Sequence, residues 1–285
     1  KAQRQEAKEA VETRCQDEAR SGKFRRMQQF PLLWDSRTNL LFFGGSSATA
    51  WEQCSELLIR AFDLELERLT AGHRAHDWAV ESKRLEALEE LLPSNFFPDD
   101  AAAEIVWWNG ESGNFDYLGN DFLLWLWWYL ETQADTLTLP DGSEVTAMLS
   151  RTLSLSCPRG ESGKETISAE APSRLPEAAQ AIRSGKLPRK AGLILVRYGD
   201  QYELVLQPET FSVSGAKIQT DEREDPSDGR GALEDRIENL RGLNETINLL
   251  YHAFCEKRIG KSWSGELAQM QRWLKKEAKT RKPAA

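Results

Sequence analysis

The chain has 285 residues, of which 40% are hydrophobic and 29% charged, and its formal net charge is −8. These proportions are typical of a folded globular protein and exclude a disordered chain. The longest apolar run, residues 122–130, is about half the length that a membrane-spanning helix requires, so we expect no membrane anchor there.

Charge is distributed unevenly along the chain. Residues 1–30 contain eight Lys/Arg against five Asp/Glu, and residues 255–285 contain nine against three. Both ends are therefore basic and the middle is acidic, so a polyanionic partner would be bound by local clusters and not by overall charge. The four cysteines lie far apart, which is typical of reduced thiols in a cytosolic protein.

The first 70 residues predict a charged helix and a small mixed unit. The predicted elements are a helix ending near Gly22, strands at 32–34 and 40–43, a helix at 48–62 and a strand at 64–69. A polar turn between the two apolar runs is typical of a hairpin, and Ser46 or Ser47 can cap the second helix. Alternation of leucine with charged residues predicts the last strand.

The middle of the chain predicts helices followed by hairpins. Its elements are a helix at 78–92 that Pro93 stops, a buried helix at 122–130, a hairpin over 136–149 and a strand at 152–157. The hairpin is predicted from its Pro140-Asp141-Gly142 turn.

The last part of the chain predicts a further hairpin and a long helix. Its elements are a helix at 175–186, a hairpin over 190–207, a strand at 210–218, a charged linker at 219–231, and a helix at 232–258 before a basic tail. Antiparallel hairpins mixed with helices predict an α+β fold and not a doubly wound parallel one. We divide the chain into segments 1–70, 71–135, 136–218, 219–231 and 232–285.

Three of the ten tryptophans lie in the apolar run, at Trp125, Trp127 and Trp128. At about 100° per residue, Trp125 and Trp128 share a helix face and Trp127 points elsewhere. A helix that is apolar on all sides is buried. A base-stacking surface needs interleaved cations, and no Lys or Arg occurs between Arg84 and Arg151. The run is therefore interpreted as protein core or a protein–protein interface.

Enzymatic signatures are scarce. No phosphate-binding loop, nucleophile elbow or zinc motif is present. Two clusters contain metal-ligand residue types, namely His73, His76 and Asp77 in one and Asp99, Asp100 and Glu104 in the other. The first is interpreted as surface histidines in a loop and the second as a helix cap. We predict a protein that is not an enzyme and holds no metal or cofactor.

Basic clusters are the more informative feature. The predicted DNA-binding residues are Lys8, Lys23, Arg25 and Arg26 in and after the first helix, Arg183, Lys186, Arg189 and Lys190 around the end of the helix at 175–186 and the following loop, and Lys257, Arg258 and Lys261 at the end of the long helix. Cations also suit the negative end of a helix dipole. Three such clusters on an otherwise acidic chain favour phosphate contacts.

The order of these features resembles the RdgC family of recombination-associated proteins. The resemblance lies in Trp34-Asp35, Asn39-Leu40, the helix at 48–62, the helix end Ile182-x-x-Gly185-Lys186, and the hairpin over 190–207. It covers roughly residues 1–70 and 120–258. The family's N-terminal portion has no counterpart here, so we expect a preceding segment that this sequence lacks.

The resemblance implies a function without catalysis. Family members are ring-shaped homodimers that encircle duplex DNA without sequence specificity and restrain RecA-type recombinases. By this resemblance the chain would be a cytoplasmic, nucleoid-associated homodimer that modulates homologous recombination. Contacts to backbone phosphates suffice for such binding, and a clamp needs a self-complementary interface between its subunits.

Two other functions remain open. The acidic middle and the aromatic sequence at 107–117 favour a subunit that binds another protein in a repair or phage-defence assembly. Alternatively, Asp99, Asp100 and Glu104 could hold Mg²⁺ in a metal-dependent nuclease.

Overall fold

A computed structural model describes residues 2–22, 28–96, 114–157, 163–219 and 229–276. The chain divides into two compact units, Lys1–Glu67 and Arg68–Ala285. The first corresponds closely to the predicted segment 1–70, whereas the other four predicted segments belong to a single unit. Among the helices that the structure describes, none combines the length and apolarity that a membrane span requires.

The first unit contains two helices and a hairpin. Helix α1 spans Ala2–Arg20, strands β1 and β2 span Leu32–Asp35 and Leu40–Phe43, and helix α2 spans Ala48–Phe62. The strands pair antiparallel, as predicted. Of the two candidate caps, Ser47 begins α2 by accepting a hydrogen bond from the Ala50 N–H. Phe43 and Trp51 join the hairpin to α2 by an edge-to-face contact with ring centroids 5.8 Å apart.

The predicted strand at 64–69 is wrong. No strand forms there, although Leu64 and Leu66 are half-buried and Glu65 and Glu67 are exposed. The alternation therefore correctly predicted which of these side chains are half-buried and which are exposed. A strand also requires a hydrogen-bonded neighbour, and the alternating pattern carries no information about one.

The second unit is α+β, as predicted. Its helices are α3 (Ala71–Glu81), α4 (Leu85–Glu89), α5 (Leu118–Thr132), α6 (Pro176–Arg183), α7 (Arg230–Arg258) and α8 (Trp263–Lys276). Its strands are β3 (Thr136–Thr138), β4 (Glu144–Ser156), β5 (Glu165–Ala169), β6 (Leu187–Arg197), β7 (Asp200–Gln207) and β8 (Ser212–Gln219). The strands form one antiparallel sheet of order β3-β4-β6-β7-β8, and β5 pairs with β4.

An irregularity in β4 explains why it was predicted as two strands. The register against β6 shifts between Leu149 and Leu153, and Arg151 has a φ of 62°. Opposite this bulge lies Gly192, where a Cβ atom would overlap the carbonyl oxygen of Ser150. Glycine at 192 therefore permits the close approach of the two backbones that the bulge requires.

Helix α5 forms the centre of the core, and the prediction of a buried helix at 122–130 is confirmed. Trp125, Trp127 and Trp128 are 2%, 2% and 4% exposed. Two of these indoles donate hydrogen bonds to carboxylates. Trp125 Nε1 donates to Glu266 at 2.8 Å, and Trp127 Nε1 donates to Glu131 at 2.6 Å. The tryptophans are therefore core residues and are not available to stack on nucleic-acid bases.

Two helical predictions need correction. The helix predicted at 78–92 is two helices, because α3 begins at Ala71 and the chain leaves it through Lys83, whose φ is 56°. The predicted loop around His73 is thus the first turn of α3, capped by Thr70. The described part of the basic tail also forms α8, whose apolar residues Met270, Trp273 and Leu274 are buried in the core.

Candidate nucleic-acid interface

The predicted cations of the first unit are only partly described. Lys8 is exposed on α1, a helix whose described side chains are exposed at almost every position. Lys23, Arg25 and Arg26 lie outside the described residues. Position and exposure therefore leave Lys8 accessible to a phosphate.

The cluster before the β6–β7 hairpin is mostly neutralised by acids. Lys186 Nζ lies 2.8 Å from a Glu165 carboxylate oxygen, and Arg189 Nε donates to Glu209 at 2.8 Å. Glu209 is buried and also accepts from Asn120 Nδ2 at 2.9 Å. These ion pairs fix the start of β6, so Lys186 and Arg189 serve the fold. Arg183, at the end of α6, and Lys190, on β6, are exposed.

The prediction that Arg258 contacts DNA is corrected by the structure. The side chains of Arg258 and Asp121 are 4% and 1% exposed, and Arg258 Nε donates to Asp121 Oδ2 at 2.9 Å. Arg258 Nη2 donates to the Leu92 carbonyl, and the guanidinium lies over the Trp263 ring. Its position at the end of α7 predicted solvent exposure, but the helix turns this side chain into the core.

Three exposed cations surround the same end of α7. Lys257 and Lys261 are exposed, and neither forms an ion pair with any residue that the structure describes. Arg84, which precedes α4, places its Nη1 atom 3.4 Å from the position that a Gly260 Cβ would occupy. We call Arg84, Lys257 and Lys261 the α7-end cluster. The sequence did not indicate Arg84, because it lies more than 170 residues before the other two.

A second polar cluster lies between α3 and α7. Arg74 Nη1 donates to Asn248 Oδ1 at 2.7 Å, and Nη2 donates to Asn244 Oδ1 at 3.0 Å. The guanidinium carbon lies 5.0 Å from the centroid of the Phe211 ring. His252 follows on the same flank of α7. We call Arg74, Asn244, Asn248 and His252 the α3–α7 cluster.

Charge in the α3–α7 cluster affects His252. Burial, and then the positive charge of Arg74, lower the pKa of His252 to about 4, while Asp77 opposes this. Between pH 6.5 and 4, His252 therefore stays neutral in the native protein but becomes protonated in the unfolded chain. The stability that follows is fully present above about pH 6.5 and is lost as the pH falls through 4.

We expect the free energy of unfolding to fall by roughly 2 kcal/mol over this interval because of His252, after allowance for partial exposure. Urea unfolding at a series of pH values measures the loss. In His252→Gln the fall between pH 6.5 and 4 should be smaller by that amount. His76→Gln is the matched control, since this histidine is exposed. Equal pH profiles for the parent and His252→Gln would contradict the prediction.

The two predicted metal clusters differ in what the structure describes. His73 and His76 lie on α3, and no group of three or more metal-ligating side chains occurs within the described ranges. Asp99, Asp100 and Glu104 lie outside them.

Comparison with known proteins gives no relative, because no protein-family model, curated protein or solved structure matches this chain.

Proposed function

We propose that this protein binds double-stranded DNA without sequence specificity, through contacts to backbone phosphates and without chemistry on the DNA. The α7-end cluster is the observation that carries the proposal. With the resemblance to the RdgC family, it leads us to propose a homodimer that modulates recombination by occupying DNA.

The α7-end cluster suits phosphate binding for two reasons. Its three side chains are exposed and form no ion pair within the described ranges, so binding a phosphate breaks no existing salt bridge. They also lie around one short segment, since Lys257 and Lys261 are its ends and Arg84 Nη1 approaches Gly260 within it. Exposed acids lie near them in sequence, with Glu256 next to Lys257 and Glu81 and Glu86 on either side of Arg84, and they reduce the local charge.

Fluorescence anisotropy of a labelled random duplex across a salt series tests the proposal. The logarithm of affinity should fall linearly with the logarithm of salt, with the same slope for unrelated sequences. Replacing Lys257 and Lys261 with methionine should weaken binding and reduce the slope by about 1–2 units, because roughly one unit is lost per phosphate contact. Lys217→Met is the matched control, since Lys217 is exposed on β8 and lies outside the α7-end cluster.

The same titration can refute the proposal. No binding at low salt would overturn DNA binding altogether. Binding with an unchanged slope in the double variant would remove the α7-end cluster from the interface. Charge reversal at Arg25 and Arg26 tests the contribution of the first unit in the same assay.

A second candidate function is docking to another protein. It is favoured by the first unit, where large apolar side chains are exposed, namely Leu32 (49%), Trp34 (54%), Leu57 (60%), Ile59 (46%) and Phe62 (66%). Exposed apolar groups in this number are typical of an interaction surface. Absence of a salt-dependent interaction with DNA would favour this function over the first.

A further inference from the structure

We propose that the α3–α7 cluster binds an oxyanion of the phosphate class through Arg74, Asn244 and Asn248. The anion can be a free phosphate or nucleotide, or a phosphate of the DNA backbone. The inference stands on its own geometry and does not require that the chain bind DNA.

The first observation is a largely buried guanidinium with no ion pair among the described residues. The other arginines that are buried or half-buried in the second unit have carboxylate partners: Arg189 has Glu209, Arg197 has Asp141 and Glu245, Arg241 has Glu238, and Arg258 has Asp121. Arg74 forms no ion pair with any described residue. Burial lowers its pKa, and the negative charge of Asp77 offsets this only in part. A guanidinium removed from water without an anion in direct contact is costly, and an incoming oxyanion would relieve that cost.

The second observation is a set of hydrogen-bond donors without acceptors. A guanidinium only donates, so the two asparagines must turn their oxygens toward Arg74 and their NH₂ groups away from it. Neither NH₂ group donates to a described residue. Among buried side-chain atoms of the described residues, Arg74 Nε is the one that lacks a partner. The asparagine nitrogens are therefore unpaired but reach solvent.

The third observation is that these donors are held in place. Asn244 and Asn248 are separated by one turn of α7, about 6 Å along the axis, on one flank of the helix. Arg74 donates to the side-chain oxygens of both asparagines, and its guanidinium packs on the Phe211 ring. Preorganised donors lose little conformational entropy when a ligand binds. The arrangement offers donors and positive charge, which suits an anion with several acceptor oxygens.

Asn248→Asp is the decisive variant. It keeps the oxygen that accepts from Arg74 and replaces the outward NH₂ group with a second oxygen, so that Arg74 acquires the carboxylate it lacks. The fold should gain stability from the new ion pair, whereas an oxyanion should be repelled. A merely structural role for the cluster predicts the gain in stability without any effect on anions.

The measurement is titration of the protein with inorganic phosphate, followed by calorimetry and by thermal unfolding at constant ionic strength. The parent should bind phosphate and unfold at a higher temperature in its presence. Asn248→Asp should bind phosphate at least about tenfold more weakly while unfolding at a higher temperature than the parent without phosphate. Gln180→Glu is the matched control, because it makes the same charge change at an exposed position on α6.

Two results would overturn the inference: no binding of phosphate by the parent, or equal binding by the parent and Asn248→Asp. The duplex titration then identifies the source of the anion. A salt slope reduced by about one unit in Asn248→Asp indicates a DNA phosphate. An unchanged slope, or no DNA binding by the parent, together with lost phosphate binding indicates a free phosphate or nucleotide.

Discussion

Replacing Arg258 with methionine is expected to lower the free energy of unfolding by about 3–5 kcal/mol, because it leaves a buried carboxylate without its cation. Burial already raises the pKa of Asp121, and Arg258 is the charge that opposes this rise. The variant also loses the bond to the Leu92 carbonyl. Urea unfolding at neutral pH measures the effect.

The loss in Arg258→Met should depend on pH. Without its cation, Asp121 will take up a proton in the folded state. A carboxyl whose pKa is raised by folding stabilises the folded state below its unfolded pKa, and this stabilisation is lost as the pH rises. The variant should therefore be less destabilised at pH 5 than at pH 8. Lys257→Met, its exposed neighbour, should change stability by less than about 0.5 kcal/mol.

Pairing Arg258→Met with Asp121→Asn should recover part of the lost stability, since the uncompensated charge is then absent. Equal stability of Arg258→Met and Lys257→Met would show that the ion pair does not hold α5 and α7 together. A double variant that is no more stable than Arg258→Met would show that the charge of Asp121 is not the cause of the loss.

Replacing Trp125 with alanine is expected to cost about 3–5 kcal/mol, because it opens a cavity at the centre of the core. The indole packs against Phe254 with ring centroids 5.6 Å apart and against Tyr129 at 5.5 Å. It also donates to Glu266 on α8, so the variant leaves that carboxylate without its donor. Thermal unfolding should show a large decrease in Tm.

Trp34→Ala provides the control for this variant. The Trp34 side chain is 54% exposed on β1, so its loss should have a small effect on stability. If Trp34→Ala proved as destabilising as Trp125→Ala, Trp34 would have to be buried in solution and not exposed as the structure shows. A small loss for Trp125→Ala would contradict the assignment of α5 to the core.

Elements defined by local patterns were predicted well. The apolar periodicity of 48–62 corresponds to α2 in both bounds, and Ser47, one of the two candidate caps, is its capping residue. The hairpin over 190–207 and the helix at 232–258 correspond to β6–β7 and α7. Such patterns succeed because periodicity, caps and turns are encoded within about ten neighbouring residues.

The candidate site was predicted less well. Lys186, Arg189 and Arg258 were chosen by residue type and by position near helix ends. Each of them forms an ion pair with a carboxylate of the same chain. Arg84 was missed. Whether a cation is exposed or paired depends on the acid that the fold brings to it, and for Arg258 that acid lies 137 residues away.

The sequence by itself determined the α+β class, the burial of the tryptophan-rich helix and most helices and hairpins, because these follow from hydrophobic periodicity and turn chemistry. The tertiary structure alone decided which cations reach solvent and which donors lack acceptors. Arg74 and Asn244 are 170 residues apart in the sequence. Their contact arises from the packing of α3 on α7, and no local pattern encodes a contact over that distance.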